Sequence, residues 1–264
     1  MRLPLYQIDA FAEGPFTGNP AAVCPLDTWL PDAVMQAIAA ENNLSETAFF
    51  APEGEEYRLR WFTPATEVDL CGHATLASAY VVFHCLAPWR RCVHFRTEKA
   101  GTLAVSREGD LLALDFPAHP PVPCPLPEGL AAALGRVPAA MLAARYYLAI
   151  YDKAEEVAAL APDFRALARL DRPALIATAP AAPGSSAHDF VSRVFAPAVG
   201  IDEDPATGAA HCTLIPYWAG RLGKGRLVAR QVSRRGGTLL GELRGERVAI
   251  AGRAVLYLTG TIEI

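Results

Sequence analysis

An internal repeat constrains this chain more than any other feature. With an offset of 133, Tyr57-Arg58-Leu59-Arg60-Trp61-Phe62-Thr63-Pro64-Ala65-Thr66-Glu67-Val68-Asp69 lies against Phe190-Val191-Ser192-Arg193-Val194-Phe195-Ala196-Pro197-Ala198-Val199-Gly200-Ile201-Asp202. Phe, Pro, Ala and Asp recur, Val68 is answered by Ile201, and Arg60 by Arg193. After a three-residue insertion Gly72-His73-Ala74 faces Gly208-Ala209-Ala210, and each glycine opens an Ala-rich apolar segment, Ala74–Phe83 and Ala210–Leu222. Each half therefore reads as a strand, a Pro-containing turn, an acidic loop, a glycine and a helix. A single core is near its practical limit at 264 residues, and an offset near half that length favours two similarly built domains. Chance similarity in an Ala-rich chain is the alternative, but the shared Phe-x-Pro-Ala and Asp do not follow from composition.

Other segments fill in the halves. Tyr6–Phe11 is strand-like and the 16–23 stretch reads as a loop; Pro31 starts a helix through Ala40 that Asn42-Asn43 ends. Thr47–Phe50 begins a strand, which leaves Glu46 at a loop mouth. Leu111–Phe116 is a further strand, and Pro117–Pro127 is the best candidate linker, with a second Pro/Gly/Ser loop at 179–186. Short strands with Gly turns follow at 239–243, 247–250, 255–258 and 261–264. The expectation is an α+β fold of two similar lobes related by pseudo-twofold symmetry, each a mixed, mainly antiparallel sheet around a central helix. The N-terminal lobe is 1–116, the linker 117–127 and the C-terminal lobe 128–258, with the last strand, 259–264, a candidate to complete the first lobe.

Composition then excludes whole classes. Hydrophobic residues make up 52% and charged residues 20% of the chain, enough apolar surface for a packed core. The net charge of −4 gives no general attraction to nucleic acid or an anionic membrane. The basic run 221–235 lacks aromatic interleaving, and its apolar residues alternate as in a strand, so a solvated sheet face is expected. No apolar window is long enough to span a bilayer, no secretory signal is visible at the N-terminus, and six scattered cysteines suggest reduced thiols; a cytoplasmic location follows as an expectation. Neither a Walker-type phosphate loop nor a dinucleotide fingerprint is present.

Helix N-termini opened by glycines bind anions through free N–H groups, so a small carboxylate-bearing substrate between two lobes is a natural ligand, meeting acid/base side chains there. The side chains that could serve are Glu46, His73 and Asp204, with Asn19, Thr207 and His211 nearby in their motifs. Each also has a structural reading. Asn19 is a turn former, Glu46 a solvated loop carboxylate, His73 a buried or capping imidazole and Asp204 a helix N-cap. A helix start would hold the His73 imidazole neutral.

Taken together, Phe11-x-x-x-Pro15-Phe16-x-Gly18-Asn19-Pro20, Asn43-Leu44-Ser45-Glu46-Thr47-Ala48-Phe49, Phe62-Thr63-Pro64, Glu67-Val68-Asp69-Leu70-Cys71-Gly72-His73-Ala74-Thr75, Glu203-Asp204-Pro205-Ala206-Thr207-Gly208 and Gln231-Val232-Ser233-Arg234-Arg235-Gly236-Gly237 resemble the PhzF-like isomerases of phenazine biosynthesis. The resemblance spans essentially the whole chain. It implies the diaminopimelate epimerase-like fold, a homodimer, and an isomerase that needs no cofactor and moves a proton from one ring carbon of a cyclic dihydro-hydroxyanthranilate to another. It further implies that Glu46 is the proton shuttle, that His73 and Asp204 line the site, and that Asn19, Gly72, Thr207, Gly208 and Ala209 contact the substrate, the glycines through backbone N–H groups. One departure stands out. The family commonly has Gly-Ser-Ala where this chain has Gly208-Ala209-Ala210, so a hydroxyl is missing and the anthranilate-derived substrate is disfavoured.

Three other readings remain open. Cys71 lies beside Gly72 where epimerases of this fold carry a catalytic cysteine, so a thiol-based amino-acid racemase is one. A non-catalytic binding protein that keeps the fold is another. A zinc site built from Cys71, His73, His84, Cys85, Cys92 and His94 is the third, although no paired Cys-x-x-Cys knuckle supports it, and no metal is expected.

Overall fold

The computed structural model describes all residues, Met1–Ile264. The chain forms two compact units, Met1–Asp115 with Ala251–Ile264, and Phe116–Ile250. The first contains β1 (Arg2–Ala10), β2 (Asn19–Pro25), α1 (Asp32–Asn42), β3 (Glu46–Glu53), β4 (Glu56–Phe62), β5 (Glu67–Val68) and α2 (Gly72–Val81). Beyond a π-helical turn at Val82–Leu86 come β6 (Cys92–Arg96), β7 (Thr102–Glu108) and β8 (Leu111–Pro117). The second holds β9 (Val122–Pro123), α3 (Leu130–Leu134), β10 (Ala140–Ala143), β11 (Tyr147–Ile150), α4 (Ala154–Ala158), α5 (Phe164–Leu167), β12 (Leu175–Pro180), β13 (Phe190–Ala196) and β14 (Ile201–Asp204). It continues with α6 (Gly208–Leu222), β15 (Arg226–Gln231), β16 (Gly237–Arg244) and β17 (Arg247–Gly252), after which β18 (Ala254–Glu263) returns to the first unit.

Strand pairing reproduces the sequence repeat. In the first unit β1 is antiparallel to β2, β2 parallel to β3, β3 antiparallel to β4, β4 antiparallel to β5 and parallel to β6, and β6 antiparallel to β7. The second unit repeats the series with β10, β11, β12, β13, β14, β15 and β16. These are the mixed, mainly antiparallel sheets expected of the sequence, and each unit carries a long helix between the equivalent strands β5 and β6 or β14 and β15.

The helices show why. Nine of the ten α2 residues are buried, as an all-round Ala-rich, apolar sequence requires. Its hydroxyls are absorbed by the helix itself: Thr75 Oγ1 donates to the Cys71 carbonyl at 2.6 Å and Ser78 Oγ to that of Ala74 at 2.8 Å. In α1, Pro31 is the N-cap and Asn43 closes the helix in the left-handed conformation, φ 49°, its N–H on the Ala39 carbonyl at 3.2 Å. In α6, Pro216 has no N–H to give the Cys212 carbonyl, and the backbone N–H of His119 supplies that bond at 2.8 Å.

Several expectations need correction. Residues 19–23, read as part of a loop, belong to β2; Pro20 lies outside the stretch paired with β3, which begins at Ala21, and Pro25 ends it. Glu46 is not at a loop mouth but is the first residue of β3, opposite Ala21. The presumed linker contains β9, which pairs with β10. The 179–186 loop starts two residues late, since Ala179 and Pro180 end β12. The strands expected at 255–258 and 261–264 are one strand, β18, with a register shift opposite Gln7 and Ile8, and the chain rejoins the first unit at Ala251 rather than 259. In β15 the inward positions fall to Leu227, Ala229 and Gln231, with Val228 half-buried. No helix is long and apolar enough to cross a membrane.

Candidate active site

The parallel pairing of β2 and β3 brings the starts of both strands to one end of the first sheet, where α2 also begins. Four side chains converge there. His73 Nε2 lies 3.1 Å from Glu46 Oε2, and on the opposite side of the ring Nδ1 lies 3.2 Å from Asn19 Nδ2 and 3.5 Å from Cys71 Sγ. All four residues are buried. The Glu46 Oε2 and His73 Nε2 atoms are close without a well-aligned hydrogen bond to any group. The pair is therefore held near contact and is not locked, a geometry that leaves the carboxylate able to serve a third partner.

Electrostatics differ from the expectation of a neutral imidazole. Burial opposes the charged ring, but the adjacent Cys71 and Glu46 groups outweigh it and raise the His73 pKa well above its ordinary value. The Cys71 thiol is itself pushed up to about 11, first by burial and then by the Glu46 charge. Cys71 is therefore neutral at pH 7, and the carboxylate at 3.1 Å is the group that favours the imidazolium over the opposing helix dipole.

Glu46, Cys71 and His73 also present one donor atom each within 4.8 Å of one another. As arranged, the ring turns Nδ1 to the sulfur and Nε2 to the carboxylate, so one imidazole nitrogen does not face both. Three such donors do not complete the closed tetrahedron of a structural zinc site. His84, Cys85, Cys92 and His94 belong to no such cluster.

The second unit builds a different arrangement at the equivalent place. Thr207 is the N-cap of α6, as Cys71 is of α2, and neither side chain bonds its helix. In both, a side chain four residues on donates to the N-cap carbonyl: Thr75 in the first unit, and His211 Nδ1 at 2.8 Å in the second. Asp204 is not the N-cap. It ends β14 and accepts the Thr207 hydroxyl at 2.5 Å. The fully buried Gln231 ties this loop together, accepting the Thr207 N–H at 2.8 Å and donating to the Asp204 carbonyl at 2.7 Å and to Thr207 Oγ1 at 3.1 Å. Gly208 is buried and Ala209 half-buried in the first turn of α6.

The motif reading thus named Asn19, Glu46 and His73, which the first unit brings together with Gly72, and Asp204, Thr207, Gly208 and Ala209, which the second brings together. It gave no role to Gln231. The signal was present, since Gln231 opens the last of the quoted motifs, but an isolated amide on a strand does not announce which loop it will bond.

Residues 8–260 match the PhzC-PhzF family, described as phenazine biosynthesis-like protein. The chain belongs to this family. An uncharacterized isomerase of Pseudomonas aeruginosa is 54% identical over 264 residues, covering 100% of both chains. The crystal structure of a PhzF family protein from Enterococcus faecalis superposes with a TM-score of 0.95 at 47% identity, again covering 100% of each. A hydroxyproline epimerase from Agrobacterium vitis shares the fold alone, with a TM-score of 0.62 and 10% identity over 99% of this chain and 92% of that one. Relatives in the family that resemble this chain over its whole length are named as isomerases.

Proposed function

We propose that this PhzF-like chain is a cofactor-independent isomerase that shifts a proton between carbons of a small carboxylate-bearing substrate, with Glu46 as the general acid/base. The observation that carries the reading is the buried Glu46–His73 contact of 3.1 Å, close enough to pass a proton and not committed to a fixed hydrogen bond. Glu46 takes the proton from one carbon and returns it to another, and His73 balances the carboxylate charge while Glu46 is ionised. Asn19 follows the ring, since its amide can turn either its oxygen or its nitrogen towards Nδ1. Gly72 offers its N–H at the start of α2, and the substrate-binding roles of Asp204, Thr207, Gly208 and Ala209 rest on the resemblance. A thiol base is disfavoured by two observations: the Cys71 pKa of about 11 and a threonine, Thr207, at the matching helix N-cap.

The test is proton exchange at carbon. Cyclic amino and hydroxy acids are incubated with the protein in deuterium oxide and followed by NMR. The wild type is expected to incorporate deuterium, Glu46→Gln to lose about 10²–10⁴-fold in rate, and Cys71→Ser to retain most of it. Equal exchange by Glu46→Gln sinks the assignment, total loss in Cys71→Ser favours the thiol racemase, and no exchange with any candidate acid favours a binding protein.

A further inference from the structure

We infer that a cavity at the far end of α2 from His73 binds a small organic anion, a monocarboxylate with a compact apolar body, through Arg107. Strand side chains alternate, and the inward row of β7 is Leu103, Val105 and Arg107, the first two 5% and 0% exposed. Arg107 is half-buried on that face, opposite Leu112 of β8, which is 3% exposed. Its backbone N–H serves the Arg91 carbonyl at 2.9 Å, but no carboxylate or carbonyl of the chain receives its guanidinium. A charge at an inward strand position is ordinarily paired or hydrogen-bonded. An arginine held there without a partner calls for an anion from outside the chain.

The surroundings are shaped to admit one. Arg107 and Leu112 line a cavity of about 320 Å³ together with Tyr80, His84, Ala254 and Val255, a volume at the small-metabolite end of ligand pockets. Above it α2 runs into the π-helical turn Val82–Leu86, where the Ala87 N–H reaches the Val82 carbonyl at 2.7 Å. Turns of this kind recur at functional sites. Here the His84 ring stacks on Tyr80 with centroids 4.0 Å apart, and its Nδ1 donates to the Tyr80 carbonyl at 3.0 Å. The ring is thereby fixed, and Nε2 is its remaining polar atom. Tyr80 lies seven residues after His73 on α2, about 10 Å along the axis, so the cavity and the Glu46–His73 pair share a helix but no residue.

Charge selects the ligand. Arg253, also on the cavity wall, is already paired with Asp110 at 3.7 Å, and the exposed Glu13 stands on the rim. Arg107 is therefore the one cation not matched within the chain, and two carboxylates at the mouth repel a dianion such as phosphate more than a single carboxylate. Leu112, Ala254, Val255 and the Tyr80 ring supply an apolar wall. A monocarboxylate on a ring-sized apolar body satisfies both, its two oxygens matching the planar fork of the guanidinium.

Titration of the full chain with benzoate, followed by the histidine Cε1–H resonances in NMR, tests this. His84, assigned by its loss in His84→Asn, reports on the cavity, and His73 reports on the Glu46 site. The His84 resonance is expected to shift saturably with benzoate and far less with inorganic phosphate at equal concentration. Arg107→Gln should weaken the benzoate effect at His84 at least about tenfold and leave the His73 response as in the wild type. Urea unfolding gives a second readout. Without ligand, Arg107→Leu should raise the midpoint by removing an unpaired inward charge, and benzoate should raise the midpoint of the wild type more than that of Arg107→Leu. The proposal is overturned by a His84 resonance that does not shift saturably, by a shift that Arg107→Gln leaves intact, or by a preference for phosphate. A ligand-free Arg107→Leu midpoint below that of the wild type also overturns it, since the guanidinium would then have a structural partner.

Discussion

His211 is fully buried between the Thr207 carbonyl and the Phe190 ring, and burial lowers its pKa to about 4. Its Nδ1–H serves the helix cap, so the folded state needs the neutral ring. The unfolded chain takes up this proton near 6.5 and the folded chain only near 4, so stability falls as pH drops through that window, by about 3 kcal/mol for this one group. His73 works in the opposite sense: its raised pKa contributes stability that is fully present below the unfolded value and is lost as pH rises through the folded one. Replacing His211 by Leu should cost about 1 kcal/mol at pH 7 through the lost bond to Thr207, yet flatten the decline between pH 6.5 and 4. Urea unfolding of both proteins across that range measures it, and an unchanged acid limb would refute the assignment. The identities of Glu46, His73 and Asn19 were legible in ordered motifs. Their protonation was not, because it depends on a carboxylate 27 residues away in sequence and 3.1 Å away in space.

Helix starts were the best-read elements, and the links between them the worst. Gly72 and Gly208 open α2 and α6 where the repeat placed them, since a glycine before an Ala-rich run is a local signal. β2 was missed because its prolines look like loop residues when the neighbours that tolerate them are unknown. Gln231 is the same kind of case: its amide is meaningful only beside the 204–207 loop, which parallel pairing of β13 with β15 carries to it. Gln231→Leu should leave the Thr207 N–H and the Asp204 carbonyl without this partner in a buried setting, at a cost of about 2–4 kcal/mol, read as a lower urea midpoint. Gln231→Met keeps the side-chain length without the amide and should lose about as much stability as Gln231→Leu; a wild-type midpoint in Gln231→Met would mean that the amide contributes packing alone.

Across the whole molecule, the chain leaves the first unit after Asp115 and returns to it at Ala251. β1 therefore takes β18 on one side and β2 on the other, a pairing of the first ten residues with the last eleven. A chain truncated after Gly252 exposes the whole β18-facing edge of β1 and the apolar residues under it, so it should lose cooperative unfolding of the first unit. A truncated protein with the wild-type circular dichroism spectrum and a single sharp transition would contradict this. Sequence alone determined that the chain is a two-part α+β protein of the PhzF-like kind, because the repeat, the glycine-opened helices and the ordered motifs are written in local spacing. Tertiary structure decided what no spacing encodes: that β18 closes the first unit, that Glu46 is buried against His73, and that Thr207 rather than Asp204 caps α6. Each depends on which distant groups share a low-dielectric neighbourhood or a hydrogen-bond ladder, and only the folded chain brings those groups within a few ångströms.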